Sequence, residues 1–360
     1  MREDARLLLT VLKNPARQAG LSAQAWSQVL YLARACGLLG RVAADAERYG
    51  LLDSLAAGVR DQLIGARRVA EMSRARLLWE MDRVRRATLG PDIKIVLLKG
   101  AAYVAAGLPC AAGRVSSDID VLVSRDRLQW LEAALMAAGW QQVKSSDYDQ
   151  QYYRDWMHEL PPLRHPERNA VIDIHHTILP PTSRYKPDPA KLLANARMID
   201  ERFAVFADTD LLLHSASHLF ADGELRGGLR DLVDQRDLMV EFGKSADFWP
   251  RLKARSEELG LARPLAYSLT YAHDLLAAPV PAEALTAARR ALPWPPPLRW
   301  VMDWCVRAAL IPPHLFDRAA GAAVAGELLY IRSHWLRMPP LMLARHLGVK
   351  AWRRTLGSRP

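Results

Sequence analysis

Two aspartates, Asp118 and Asp120, stand two positions apart at the start of an apolar run, DIDVLV, at residues 118–123. Alternation of polar and apolar residues over this length predicts a half-buried β-strand. Side chains at i and i+2 project from the same face of a strand, so both carboxylates face one way while the aliphatic residues pack behind them. Like charges held this close repel each other unless a cation lies between them. The chain must therefore form a sheet with an acidic, open face.

A second strand-like segment, VIDIHHTIL at 171–179, carries Asp173 and His175 two positions apart. The same alternation directs these two side chains to one face and the isoleucines to the other. If this strand pairs beside the first, three carboxylates converge on one patch. An oxygen-only cluster of this kind suits Mg²⁺ or Mn²⁺. Divalent ions held in this way can bridge a nucleoside triphosphate and lower the pKa of an attacking hydroxyl.

A turn that favours an anion lies upstream of the aspartates. The apolar run IKIVLL (93–98) predicts a buried strand, and Lys99, Gly100 and Ala101 follow it at the start of a short helix. Gly100 lets the backbone approach a ligand closely, and the first amides of the helix favour phosphate. Lys99 adds a positive charge. These residues predict a nucleotide-binding turn beside the carboxylates.

A Lys-Gly turn, an Asp-x-Asp strand and a later Asp-x-His strand together resemble the DNA polymerase beta-like nucleotidyltransferase superfamily. The order LKGAA, Arg114, SDIDVLV and IDIHH resembles, more narrowly, a poorly characterised bacterial branch of it. The resemblance implies that Asp118, Asp120 and Asp173 hold the metals and that the turn at Gly100 binds the triphosphate. The flanking helical regions resemble that branch as well, so the similarity covers most of the chain.

The chain departs from the superfamily pattern in two places. The turn usually reads Gly-Ser or Gly-Gly, whereas residues 99–101 read Lys-Gly-Ala and lack a hydroxyl that can contact phosphate. The gap from the turn to Asp118 is also longer than in minimal members. Arg114, Ser116 and Ser117 lie in that gap, and we expect them to supply the missing phosphate donors, the arginine as a fork and the serines as hydroxyls.

The change of periodicity along the chain predicts an α+β fold. Residues 1–90 have helical spacing, with breaks expected at Asn14-Pro15, Gly37, Gly40 and Gly50. Residues 91–180 predict a nucleotidyltransferase core with a small mixed β-sheet. After a proline-rich linker, residues 191–360 predict a helical region that ends in a basic tail. N-terminal and C-terminal helices therefore flank the sheet.

The composition limits the class of protein more than its partner. The 49 basic and 39 acidic residues give a net charge of +10, which fits a phosphate-bearing partner, an anionic lipid or no such partner at all. No nucleic-acid-binding motif accompanies the charge. Three widely spaced cysteines form neither a disulfide framework nor a zinc motif, so we expect a reducing cytoplasm. The N-terminus is unlike a signal peptide, and no apolar stretch reaches the roughly 18 residues of a membrane span.

Several histidines are candidates for the site or for its support. His175 shares the face of Asp173 and either contacts the metal ligands from behind or packs, whereas His176 faces the core. His214, His218 and Asp222 recur at i, i+4 and i+8 in DLLLHSASHLFADG. This helical stripe predicts either a zinc site or, more in keeping with its context, a buried polar surface that docks on the core.

Two further segments are candidates for substrate contact. In GGLRDLVDQRDL (227–238), Asp231 and Asp234 share a helix face next to Arg230. They either contact substrate or nucleotide in the cleft, or form a solvated face whose salt bridges contribute little. The Trp and Tyr residues at 148–156 either stack on a base or an acceptor, or pack in the core.

The tail concentrates positive charge. Residues 328–360 contain no acidic residue but seven basic ones, together with Trp335 and Trp352; the basic residues are Arg332, Arg337, Arg345, Lys350, Arg353, Arg354 and Arg359. A basic amphipathic segment can lie on an anionic bilayer, although Pro339-Pro340 splits it. The tail therefore predicts either peripheral contact with the inner face of the membrane or a solvated helical cap.

We expect from these features a cytoplasmic, metal-dependent nucleotidyltransferase that uses a nucleoside triphosphate and Mg²⁺ or Mn²⁺. Asp118 and Asp120 would bind metal, and Asp173 would bind the catalytic metal and orient or deprotonate the acceptor hydroxyl. The alternative is a degenerate domain that binds a nucleotide or a partner without turnover. The altered turn favours the alternative, whereas the presence of all three carboxylates favours the enzyme.

Overall fold

Helices make up the N-terminal part of the chain, as the periodicity predicts. The computed structural model describes residues 2–90, 93–143, 153, 156–222, 225–292, 295–312 and 320–339. Its first helices are α1 (Glu3–Lys13), α2 (Ala23–Ala35), α3 (Leu39–Arg48) and α4 (Ala57–Ala87). Gly37 and Gly50 break this series with φ values of 66° and 64°, which glycine adopts without steric cost. Gly40 was expected to be a break but lies inside α3, where a Cβ would overlap the Gly113 carbonyl.

A single mixed sheet lies at the centre of the fold. The strands are β1 (Ile95–Leu97), β2 (Asp118–Leu122), β3 (Gln141–Gln142), β4 (Leu163–His165), β5 (Ala170–His175), β6 (Arg197–Met198) and β7 (Phe203–Val205). Their order in the sheet is β3-β4-β5-β2-β1-β7-β6. Strand β2 runs parallel to β5 and β1 parallel to β7, while the remaining neighbours are antiparallel. The sheet and its flanking helices confirm the predicted α+β fold.

Two strands lie where the sequence predicted only helices. Strands β6 and β7 follow the linker, and β7 pairs in parallel with β1 over all three of its residues. A three-residue apolar segment is too short to show a period, so its pairing with β1 decides its structure. The division of the chain into three regions stays a prediction.

Helices cover the sheet and join it to the rest of the chain. One contiguous core of buried apolar side chains runs from Ala5 to Leu329. The helix at Asp208–Ser217 continues into a π-helical turn at His218–Asp222. The helices that follow α4 are α5 (Lys99–Ala105), α6 (Leu128–Ala137), α7 (Pro189–Asn195), α8 (Asp208–Ser217), α9 (Leu229–Phe242), α10 (Phe248–Glu258), α11 (Ala262–Leu276), α12 (Ala282–Ala291), α13 (Pro296–Ala309) and α14 (Ala320–Arg337).

Buried ion pairs connect the N-terminal helices and the region before β2 to helix α9. Arg41 of α3 pairs with Asp237, and Arg114, in the loop that leads to β2, pairs with Asp234. Arg332 of α14 donates a hydrogen bond to the Phe220 carbonyl at 2.9 Å. None of the helices within the described ranges is long and apolar enough to cross a bilayer.

Candidate active site

The pairing of β2 with β5 brings the acidic residues together. The parallel register places Asp120 opposite Asp173 and Asp118 opposite Val171. The period of two then puts Asp118, Asp120, Asp173 and His175 on one face of the sheet. The strand pairing that the sequence analysis required is therefore present, and the site lies at the centre of the sheet.

Lys99 contacts this acidic face directly. Its Nζ lies 2.8 Å from Asp120 Oδ1, and the backbone N–H of Leu98 donates to the Asp120 carbonyl at 2.9 Å. Burial alone would raise the pKa of Asp120, but Lys99 and His175 outweigh it and hold that pKa well below its usual range. Burial likewise disfavours the charged form of Lys99, but the carboxylate of Asp120 outweighs it and raises the Lys99 pKa. The two side chains therefore form a charged pair.

The backbone of Lys99 is strained where it places that ammonium group. Lys99 has a φ of 46°, a left-handed conformation that residues with a Cβ adopt at a cost of about 1–2 kcal/mol. Backbone strain of this kind occurs most often at functional sites. The surrounding structure therefore holds Lys99, the first residue of α5, in a backbone conformation that the residue itself disfavours.

His175 and Glu159 complete the charged cluster. His175 Nε2 lies 3.2 Å from Asp120 Oδ1 and 3.5 Å from Glu159 Oε2. Burial raises the pKa of Glu159. Of the two interpretations for His175, contact with a candidate metal ligand is the one that the geometry supports.

Asp173 makes no ion pair with any of the residues that the structure describes. Burial raises its pKa from 3.8 to about 7, and the nearby carboxylates of Asp120 and Glu159 add to this effect. Its Oδ1 is buried and has no hydrogen-bond partner within the described residues. An orphaned oxygen beside Asp120 and Asp118 fits a hard divalent cation, because such ions take oxygen ligands and supply the missing positive charge.

The turn after β1 has a serine hydroxyl beside it. A Cβ on Gly100 would overlap the Ser116 hydroxyl, so glycine is what allows this close approach. Ser116 Oγ is buried and, among the residues described, makes no hydrogen bond. The hydroxyl that Ala101 lacks is thus supplied in space by Ser116, whereas Ser117 is exposed and donates to Asp118 Oδ1 at 3.3 Å.

Ser73 of α4 fixes the backbone of Ser116. The Ser73 hydroxyl donates to the Ser116 carbonyl at 2.9 Å and accepts from the Ser116 N–H at 3.0 Å. Two hydrogen bonds from one side chain determine both the position and the orientation of the peptide groups. The long N-terminal helix therefore contributes directly to the geometry of the turn.

Arg114 is buried and already paired. Its Nε donates to Asp234 Oδ2 at 3.1 Å, and its guanidinium lies 5.7 Å from the centre of the Tyr103 ring. Burial raises the pKa of Asp234 to about 7, with Arg114 opposing this effect. On the same helix as Asp234, Arg230 Nε lies 3.8 Å from Asp231 Oδ1, and both side chains are partly exposed. The structure thus connects Arg114 to α9, and contact with a phosphate stays a prediction.

A comparison with known protein families identifies the family to which this chain belongs. A family described as "Uncharacterised nucleotidyltransferase" matches residues 22–277, more than half of the chain. The chain belongs to this nucleotidyltransferase family. The match supports nucleotidyl transfer as the general role and a nucleoside triphosphate as the substrate class. No curated protein and no solved structure matches the chain.

The predicted histidine stripe of this nucleotidyltransferase is split by the π-helical turn. His214 is buried in α8, where its ring packs edge-on against Phe206. Asp222, at the end of the π turn, places Oδ2 3.9 Å from both His218 Nδ1 and His158 Nε2. The contact between His218 and Asp222 has the predicted i, i+4 spacing, whereas His158 comes from a distant segment that the helical spacing does not predict.

His176 lies at the border of a cavity on the nucleotidyltransferase, near the carboxyl ends of β2 and β5. The cavity has a volume of about 370 Å³, and its lining includes Arg125, His176 and Lys186 but none of the clustered carboxylates. His176 is buried, as expected, and its Nε2 lies 3.2 Å from the Met157 carbonyl.

Sequence reasoning missed His158, Glu159 and Ser73. His158 and Glu159 follow the aromatic segment 148–156, and the adjacent His-Glu pair before Pro161 was the available signal. Ser73 is one serine in a long helix, and nothing local distinguishes it. Most of the aromatic segment itself, and tail residues 340–360 with Trp352 and the basic residues from Arg345 onward, lie outside the described residues.

Proposed function

We propose that this protein is a metal-dependent nucleotidyltransferase of the DNA polymerase beta-like type that transfers a nucleotidyl group to an acceptor hydroxyl. The observation that carries the proposal is the register of Asp120 opposite Asp173, with a buried Asp173 oxygen that makes no hydrogen bond to any described residue. A carboxylate pair in this state gains most from a divalent cation.

Each residue of the cluster has a role in this proposal. Asp118, Asp120 and Asp173 would hold Mg²⁺ or Mn²⁺, which when bound neutralises phosphate charge and lowers the pKa of a nearby hydroxyl. Asp173 orients the acceptor hydroxyl and accepts its proton. Lys99 and the Ser116 hydroxyl contact the triphosphate beside Gly100. The acceptor could be a small molecule, a sugar precursor, a peptide or a protein.

A nucleotide-binding module without turnover is the competing proposal. The contact between Lys99 Nζ and Asp120 Oδ1 favours it, because an ammonium group at 2.8 Å already compensates the charge that a metal would otherwise neutralise. In this case the domain would keep its fold and bind nucleotide weakly, and no pyrophosphate would form.

Product formation separates the two proposals. The full-length protein is incubated with each α-labelled nucleoside triphosphate, Mg²⁺ or Mn²⁺ and cell extract, and both pyrophosphate and labelled acceptor are measured. We expect transfer with the wild type, loss of transfer in Asp120→Asn and Asp173→Asn, and full transfer in Asp61→Asn, which changes an exposed carboxylate of α4. Nucleotide binding without pyrophosphate release under every condition would instead establish the binding module.

We also propose peripheral contact between α14 and an anionic membrane surface in the cytoplasm. Val324, Leu328, Ile331 and Trp335 form an exposed apolar row at i, i+4, i+7 and i+11, the spacing of one helix face. Basic residues follow this row in the sequence, and the combination favours an anionic bilayer as the partner.

Vesicle co-sedimentation tests this contact. We expect salt-sensitive pelleting with phosphatidylglycerol vesicles for the wild type and loss of it when Ile331 and Trp335 are both changed to Glu. The matched control changes Val69 and Met72, two exposed apolar residues of α4, both to Glu and adds the same charge. Failure of the wild type to pellet at low salt, or equal pelleting of the double variant, would contradict the proposal.

A further inference from the structure

A cluster of nitrogen and oxygen ligands lies next to the carboxylate face. The side chains of His158, Glu159 and His175 each offer one ligand atom, and these atoms all lie within 4.8 Å of one another. We propose that these three residues form a binding site for a transition-metal ion of the Zn²⁺ type, separate in its donor chemistry from the carboxylates of Asp118, Asp120 and Asp173.

The distances suit a small ion. Ligands about 2.1 Å from a tetrahedral metal lie about 3.4 Å from each other. Glu159 Oε2 lies 3.5 Å from His175 Nε2 and 3.9 Å from His158 Nε2. The two imidazole rings are 5.1 Å apart between centroids. Glu159 therefore already lies near the ligand spacing from both histidines.

The backbone holds these ligands together before any ion binds. Glu159 pairs with His175 in an antiparallel bridge next to β5. The His176 N–H donates to the His158 carbonyl at 2.9 Å, and the Leu160 N–H donates to the Ile174 carbonyl at 2.8 Å. His158 is 7% exposed and His175 is 2% exposed. The site is therefore built into the sheet and is not a chance cluster of surface residues.

A second carboxylate borders this cluster at the end of the π-helical turn. Asp222 Oδ2 lies 3.9 Å from His158 Nε2. The other oxygen, Oδ1, is buried, lies 4.0 Å from Arg337 Nη1 and makes no hydrogen bond in the part of the chain that is described. Single π-helical turns occur mostly at functional sites, where they redirect side chains. Asp222 contacts the cluster through His158 and stands outside the set of three ligands.

The donor set determines which ion binds. Imidazole nitrogen favours Zn²⁺, Co²⁺ and Ni²⁺, whereas carboxylate oxygen alone suits Mg²⁺. Metal-bound histidines usually donate their other ring N–H to an oxygen, but Nδ1 of His158 and of His175 has no such partner within the described ranges. We therefore expect binding that is weaker than for a permanent structural zinc ion, so occupancy follows the available metal concentration.

Cobalt is a suitable probe because tetrahedral Co²⁺ absorbs visible light. The full-length protein is stripped with a chelator and titrated with Co²⁺ in the presence of excess Mg²⁺, and Zn²⁺ is then added. We expect a saturable visible band that Zn²⁺ abolishes. His158→Gln and Glu159→Gln should each weaken Co²⁺ binding by about 100-fold or more, since losing only a supporting hydrogen bond costs about 10–100-fold.

Two control variants separate this site from its neighbours. His176→Gln removes the adjacent histidine, which contacts the Met157 carbonyl, and Asp118→Asn removes a carboxylate of the proposed active site. Both should retain the Co²⁺ band. The inference is overturned by absence of the band in the wild type, by its persistence in folded His158→Gln, or by its loss in Asp118→Asn. The absorbance requires no turnover, so the result is independent of the nucleotidyltransferase assay.

Discussion

Replacement of Asp173 by Asn should make the metal-free protein more stable at neutral and alkaline pH. The pKa of Asp173 is raised from 3.8 to about 7 by burial and by the carboxylates of Asp120 and Glu159. Between about pH 4 and pH 7 the unfolded chain loses this proton while the folded chain retains it, so the free energy of unfolding falls as the pH rises. Above pH 7 the loss levels off at roughly 4 kcal/mol, since one pKa unit corresponds to about 1.4 kcal/mol.

The amide of Asp173→Asn does not titrate, so the variant lacks this loss. Its advantage over the wild type should grow by about 3 kcal/mol between about pH 5 and about pH 8. Urea unfolding in chelator-containing buffer, followed by circular dichroism, measures this difference. Addition of Mn²⁺ at pH 8 should stabilise the wild type but not the variant. Only the wild type has the Asp173 carboxylate, whose negative charge the cation compensates.

Asp61→Asn controls for the loss of one negative charge, because Asp61 is exposed on α4. The reasoning is wrong if Asp173→Asn is less stable than the wild type at pH 8. It is also wrong if the difference between the two proteins does not change with pH, since a packing effect would be independent of protonation.

Three further substitutions test the surroundings of the site. Lys99→Met leaves the buried carboxylate of Asp120 without its partner, so we expect a loss of about 3 kcal/mol in urea unfolding and weaker triphosphate binding. Arg114→Met likewise leaves Asp234 buried and unpaired and should cost about 3–5 kcal/mol, of which Asp234→Asn in the same chain restores a part. Ser73→Ala removes two hydrogen bonds, so it should cost about 1–3 kcal/mol and weaken nucleotide binding while leaving Mn²⁺ affinity unchanged.

Each of these expectations has a contradicting result. Equal stability of Lys99→Met and the wild type in chelator would mean that the ammonium does not compensate Asp120. A double variant of Arg114 and Asp234 no more stable than Arg114→Met would deny that the cost is an unpaired charge. Unchanged triphosphate affinity in Ser73→Ala, measured by titration calorimetry, would show that the Ser116 hydroxyl has no part in binding.

The parts of the site that could be predicted from sequence are those that local periodicity determines. The alternation in DIDVLV and VIDIHHTIL assigns Asp118, Asp120, Asp173 and His175 to one strand face, because the period of two does not depend on the rest of the fold. The helices before residue 90 were predictable because their period, 3.6 residues, is likewise independent of the rest of the fold. The same motifs indicated a nucleotidyltransferase, and they lie within the residues that the family matches.

The parts that could not be predicted depend on contacts between distant segments. Glu159 reaches His175 only because residues 158–160 return beside β5. Strand β7 has three residues and owes its form to β1, and Ser73 matters only because α4 passes the loop before β2. Arg114 pairs with Asp234, 120 positions away, and no local pattern indicates this pair.

The sheet terminates on both sides in strands of only two residues, β3 and β6. An outer strand with many unpaired N–H and C=O groups is a template on which a second molecule can add a strand. Here the longest strands, β2 and β5, are interior, so the segments richest in valine and isoleucine are already paired on both sides. Among the residues that the structure describes, the sheet therefore offers little backbone for intermolecular β-sheet growth, and aggregation through β2 and β5 requires that the sheet first open.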